Sequence, residues 1–166
     1  MRKLYAISLI AGAMAAGFAG AATTSTTFAV TSSLLATCSA TATSLAFSAY
    51  TPGAGNVANN GTVSVKCTKN TPFTVALNRG TTAGGTIAQR LMAFGANTLQ
   101  YNLYTTAAFA TVFGDGTGAS QTEPGTGAGV ATAVAFTVFG QLPDNATNQA
   151  AVPGAYTDTI TVTVTY

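Results

Sequence analysis

An all-β fold, a sandwich or barrel of antiparallel strands, is predicted by three observations. The segment Thr157 to Tyr166 alternates Ile160, Val162, Val164 and Tyr166 with Thr159, Thr161, Thr163 and Thr165. That is the period of two of a half-buried strand, built from residues that suit a pleated surface. Turn signals recur at short spacing, among them Pro52-Gly53, Asn60-Gly61, Asp115-Gly116 and Pro153-Gly154. Downstream of an apolar leader, no segment carries the spacing of an amphipathic helix.

The leader reads as a targeting signal. Arg2 and Lys3 precede the apolar run Leu4 to Phe18, and Ala19-Gly20-Ala21 fits a small-x-small cleavage site. A retained membrane anchor is the rival reading. The run is short, Ser8 and several glycines interrupt it, and no basic cluster follows. Residues 1–21 are therefore expected to leave on export through the periplasm, and residues 22–166 are enough chain for one domain.

Removal of the leader changes the charge. The full chain has six Lys and Arg against four Asp and Glu. Without Arg2 and Lys3 the balance is four against four, a formal charge of zero. No basic stripe offers itself to nucleic acid and no polybasic segment to anionic lipid, so neither partner is expected, nor membrane association after cleavage. A surface of Thr, Ser, Asn, Gly and Ala suits a protein that packs with copies of itself. A neutral secreted domain has the same composition. The two cysteines, Cys38 and Cys67, read as a disulfide in an exported chain. Closing a loop of about 30 residues would stabilise the fold by about 3–4 kcal/mol in the chain-entropy model. With no His and only two thiols, neither a metal site nor a cofactor is expected.

Thr26 to Leu35 is the first extended segment, with Thr26, Phe28, Val30, Ser32 and Leu34 on one face. Ser44 to Tyr50 is the second. Asn59-Asn60-Gly61 reads as a tight turn launching Thr62 to Cys67. Pro72 to Asn78 is expected to pair back on that strand as a hairpin. Arg90 to Phe94 and Leu99 to Thr105 are the next two strands. Gly116 to Gly129 lacks periodicity and reads as a mobile surface loop. Ala133 to Leu142 is a strong strand, and Pro153-Gly154 delivers the chain into the last one, Thr157 to Tyr166. That strand has no hairpin partner after it, and its open edge is expected to need a neighbour.

Catalysis finds little support. The commonest general base, His, is missing. Of the carboxylates Asp115, Glu123, Asp144 and Asp158, three stand beside Gly, Pro or Asn, where turn formation is the simpler role. Gly114-x-Gly116-x-Gly118 lies in a β-rich loop and not before a helix, so it reads as turn glycines and not a phosphate cradle. Asn60-Gly61-Thr62 and Asn145-Ala146-Thr147 match the glycosylation tripeptide, a match that arises by chance in a Thr- and Asn-rich chain. Most aromatics sit at strand spacing among apolar neighbours, which favours core over a sugar platform.

The motifs in order are Cys38; Leu45-Ala46-Phe47; Tyr50-Thr51-Pro52; Val63-Ser64-Val65-Lys66-Cys67; Arg90-Leu91-Met92; and Leu99-Gln100-Tyr101-Asn102-Leu103-Tyr104-Thr105. Phe113-Gly114-Asp115-Gly116-Thr117-Gly118, Val138-Phe139-Gly140-Gln141-Leu142-Pro143 and Gly154-Ala155-Tyr156-Thr157-Asp158-Thr159 follow, with a terminal aromatic. Together they resemble the spore coat protein U (SCPU) domain family, which includes pilin subunits of archaic, Csu-type chaperone–usher pili. The resemblance covers nearly the whole mature chain. Phe113 stands where the family often has Trp, and Gln141 where it commonly has Arg.

The resemblance implies an incomplete immunoglobulin-like β-sandwich, residues 34–166, completed by donor-strand complementation. It further implies a donor-strand extension over residues 22–33 that fills the groove of another copy or a related pilin subunit. Within it, Thr24 to Ser32 is the expected donor segment, with Thr26, Phe28 and Val30 inserting. Ile160, Val162, Val164 and Tyr166 would then form the acceptor groove wall. Alternation by itself leaves open that Phe28 and Val30 pack in their own domain as an ordinary first strand. The implied function is a structural pilus subunit at the cell surface, supporting attachment and biofilm formation, with a periplasmic chaperone and an outer-membrane usher as further partners. The alternatives are a secreted coat or matrix protein of the same fold, or a carbohydrate-binding adhesin module.

Overall fold

The computed structural model describes residues 20–166, so the leader expected over residues 1–21 lies, but for its last two residues, outside the described residues. The chain divides into two units, Met1–Ser33 and Leu34–Tyr166. In the described part of the first unit, residues 20–33, every residue is exposed and none belongs to a strand or helix. The strand expected over Thr26–Leu35 is thus not formed. Alternation sets which side chains share a face, but a strand also needs another strand's backbone groups, and among the described residues none pairs with it.

The second unit is a two-sheet, all-β sandwich. Strands β1 (Cys38–Ala42), β2 (Val57–Cys67), β3 (Pro72–Leu77), β4 (Arg90–Phe94), β5 (Asn97–Tyr104), β6 (Glu123–Thr126), β7 (Val134–Leu142) and β8 (Val162–Thr165) follow in chain order. A short helix, α1 (Ala146–Gln149), precedes β8. One sheet runs β1-β2-β7-β5-β4 and the other β6-β3-β8, with all these strand pairs antiparallel. Val63 and Val65 of β2, Tyr101 and Leu103 of β5 and Val138 of β7 meet Phe73, Val75 and Leu77 of β3 in one core. These are the alternate residues of each strand, as a sheet with one dry face requires.

Several expectations need correcting. Asn59-Asn60-Gly61 is not a turn: β2 runs through it, paired with Gly140, Phe139 and Val138 of β7. A continuous ladder partner outweighs local turn chemistry. Pro72–Asn78 does not pair back on β2. It crosses to the other sheet, between β6 and β8. The apolar faces of β2 and β3 are both large, and facing them across the core buries both. The loop expected over Gly116–Gly129 contains β6, which pairs with β3 and carries Pro124 on a sheet edge, where a missing N–H is tolerated. Ser44–Tyr50 forms no strand, although Leu45 and Phe47 pack half-buried against the core. The last strand is shorter than its pattern, Val162–Thr165. The helix α1 was not foreseen; its N-cap Asn145 accepts from the Asn148 backbone N–H.

The Cys38–Cys67 disulfide is present and joins the paired residues at one end of β1 and β2. At the other end of the core a buried cation does the joining. Arg90 is fully buried, yet all its partners are neutral. It donates to the carbonyls of Leu77, Asn78 and Phe113 and to Asn102 Oδ1 at 2.6 Å. Burial pulls its guanidinium below the usual range. One side chain thereby ties the end of β3 to β4 and β5.

Candidate functional site

The sandwich is not closed along its whole length. β8 pairs with β3 on one side, and among the described residues no strand pairs with its other edge. Beside that edge an open groove of about 930 Å³ separates the sheets. Leu77, Tyr101, Leu103 and Val138 contribute to its floor, and Ile160 and Val162 to one wall. The opposite wall is the end of β1 at Ala42 and the irregular residues 43–50 that follow it.

That opposite wall is seated by a glycine. Leu45 and Phe47 lie over Gly140 in β7, where a Cβ would come within 2.8 Å of Leu45 and 3.0 Å of Phe47. A residue with a side chain at that position would push the wall outward. Phe47 also meets the Tyr101 ring edge-on, at 6.1 Å between centroids. Beyond Thr43 the wall's backbone has few partners: Thr43 N–H donates to Thr62 O, and Ala46 O accepts from the Asn59 side chain. A segment with so few ladder bonds has backbone groups free to pair with a strand laid in the groove.

The wall on the β8 side changes sheets. Thr157 exchanges backbone hydrogen bonds with Ala93 of β4, at 2.9 and 3.0 Å, while Val162–Thr165 pairs with β3. Asp158 stands at the crossover. Its carboxylate accepts from the backbone N–H and hydroxyl of both Thr81 and Thr82, at 2.9–3.1 Å, and from the Tyr101 hydroxyl at 2.6 Å. Partial burial would raise its pKa, but these hydrogen bonds outweigh that and hold it below the usual carboxylate range. Burial and the bond to Asp158 push the Tyr101 hydroxyl well up. The glycine at 80 has φ +92°, and any side chain there would run into the Asp158 carboxylate.

Asp144 plays the equivalent part for the other wall. It accepts from the Tyr50 hydroxyl at 2.6 Å, from the N–H groups of Gly53 and Gly55 at 3.0 and 2.8 Å, and from Gln149. The bond from Tyr50, then those from the glycine N–H groups, hold its carboxyl well below the usual range. Burial and the same bond push Tyr50 up to about 12. Asp115 accepts from the Thr117 N–H and hydroxyl inside its own turn. The three aspartates are thus engaged in holding loops.

The residues singled out by sequence fall in different places. Ile160 and Val162 line the groove. Val164 is half-buried against the core but lies outside the lining, and Tyr166 is 59% exposed. Phe28 and Val30 are 85% and 84% exposed, and Thr26 is exposed. The sequence reading named Arg90 and Asp158 without assigning them these roles, and it missed Asn148. Asn148, fully buried in α1, accepts from the Gln100 N–H and donates to Gln100 O and Pro143 O. Only the rarity of charge in this chain singles out Arg90 and Asp158.

A family profile, the Spore Coat Protein U domain, matches residues 24–163. The chain belongs to the SCPU family. Among solved structures, this SCPU domain is similar to a chain in the crystal structure of the CsuC–CsuE chaperone–tip adhesion subunit pre-assembly complex, from archaic chaperone–usher Csu pili of Acinetobacter baumannii. The identity is 21%, the TM-score 0.55, and the match covers 80% of this chain and 40% of that one. The SCPU chain therefore spans about two fifths of that relative, and the likeness is one of fold, an immunoglobulin-like sandwich. A comparison with curated protein sequences gives no match.

Proposed function

We propose that this SCPU domain is a structural subunit of a chaperone–usher pilus that polymerises by donor-strand exchange. The observation that carries the reading is the pairing of an unfilled apolar groove beside the free edge of β8 with an exposed alternating segment, Thr24 to Ser32. Backbone pairing along β8 would supply cohesion, and Phe28 and Val30 of another copy would fill the groove, with Thr26 as a smaller plug. Each large side chain so buried is worth about 1.5–3 kcal/mol. A periplasmic chaperone would fill the groove during export and an outer-membrane usher would assemble the fibre. At the cell surface the fibre would serve attachment and biofilm formation. The likeness in fold to a chain of the Csu chaperone–subunit complex supports this reading.

Phe28→Asp tests it. The variant is expected to remain folded as a chaperone-bound subunit, with an unchanged melting curve, and to form no SDS-resistant polymer. Fibres from Phe28→Asp would show that the donor is elsewhere.

A further inference from the structure

We infer that successive copies make a second contact at the mouth of the groove, where Leu34 of one copy rests on Phe94, Val152 and Tyr156 of the next. The inference rests on the donor-strand reading and extends it past Val30. Both surfaces present apolar side chains to solvent, the donor side more fully than the receiving one. Leu34 is 89% exposed, and Phe94 and Val152 are 43% and 44% exposed.

The receiving surface is already ordered. The Phe94 and Tyr156 rings sit 5.8 Å apart, tilted by 58°. Phe94 lies against Gly154, where any side chain would collide with the ring. The Tyr156 hydroxyl donates to Val152 O at 2.7 Å and fixes the loop between them. A patch held in place loses little freedom when a partner docks.

The patch is continuous with the groove, because Val152, Pro153, Gly154 and Tyr156 also line it. Register then selects the occupant. A donor antiparallel to the β8 side, with Val30 opposite Ile160, places Phe28 opposite Val162, Ser32 opposite Asp158 and Leu34 opposite Tyr156. Apolar residues meet apolar ones, and the one serine meets the one carboxylate. Four residues of extended chain from Val30 to Leu34 span about 13 Å, the same advance as Ile160 to Tyr156. The reverse direction would carry Leu34 toward Tyr166, which stands outside the groove lining. No charged residue lies within 31–37 or 148–157, so the contact is apolar and insensitive to salt.

A double-mutant cycle on the full mature chain tests the contact. Leu34→Ser and Phe94→Ser are made singly and together, and the rate of polymer dissociation in hot SDS is measured. Each single change is expected to speed dissociation roughly threefold to tenfold, the loss of one partly exposed apolar contact. The double variant should be no faster than the worse single one. Effects that multiply, or a neutral Leu34→Ser, would overturn the contact while leaving the donor strand intact. Coupling of Leu34→Ser to Tyr166→Ser instead would overturn the direction. Because Phe94 packs on Tyr156, monomer melting is followed in parallel, and Val152→Ser takes its place if Phe94→Ser unfolds. Failure of the unmutated chain to polymerise would sink the donor-strand reading and this contact together.

Discussion

Val75 and Val164 stand opposite each other on β3 and β8, as do Leu77 and Val162, and paired residues point to the same face of a sheet. Yet Val75 and Leu77 are 0% and 1% exposed, while Val162 and Val164 are only half-buried. The difference lies in the neighbours. β3 has strands on both sides, whereas β8 has one. Both strands present aliphatic side chains with the same period of two; coverage is what differs. The closed part of the sandwich, around Phe113 and Arg90, is fully covered, and the part beside β8 is covered on one side.

Substitutions in the two parts should separate by their cost to the isolated domain. Phe113 is fully buried in the closed part, and Phe113→Ala should destabilise by about 3–5 kcal/mol in urea unfolding. Ile160 is half-buried on the groove wall, and Ile160→Ala should cost the monomer roughly 1–2 kcal/mol, well under the usual core value. Its larger effect should fall on polymer stability. Equal costs in the monomer would mean that the groove closes when empty and would remove the contrast.

Replacing both Cys38 and Cys67 by Ser should cost about 3–4 kcal/mol, given a separation of 29 residues, and lower the yield of subunit from an oxidising compartment. The bond ties β1 to β2 at the end away from Ala42, where the groove wall begins, so donor capture by the molecules that do fold should be unchanged. A weakened polymer from folded double-Ser subunits would show that the two parts are coupled.

The smallest expected effect is that of pH, and it reports on the groove walls. Asp144 and Asp158 have folded pKa values below the ordinary value near 4. A depressed carboxylate contributes stability that is fully present above the unfolded value and lost as pH falls through the folded one. Stability should therefore hold from neutral pH to about 5 and decline below 4. Asp144→Asn should flatten that decline. Tyr50 has the opposite sign: its raised value contributes stability below pH 10 that is lost as pH climbs toward about 12. An acid limb unchanged in Asp144→Asn would assign the loss to other groups.

Sequence by itself determined the class of fold and most of its strands. Val63-x-Val65-x-Cys67, Leu99-x-Tyr101-x-Leu103 and Phe136-x-Val138 each carry their own period, and a period of two is a local property of the chain. The cysteine pair was legible for the same reason, since an even count of two in a chain read as exported suffices to predict it. Pairing was not local. Whether Pro72–Asn78 lies beside β2 or across from it depends on where β6 and β8 offer backbone groups. Asn60-Gly61 reads as a turn until β7 supplies a ladder through it. Family resemblance pointed to Ile160 and Val162 as one groove wall, but the opposite wall and what holds both in place follow from tertiary structure. Gly140 admits Leu45 and Phe47 as one wall, Asp158 holds the crossover of the other, and Arg90 joins the carbonyl at the end of β3 to the Asn102 side chain of β5. Each of these acts between residues far apart in the chain, and a linear pattern carries no record of such distances.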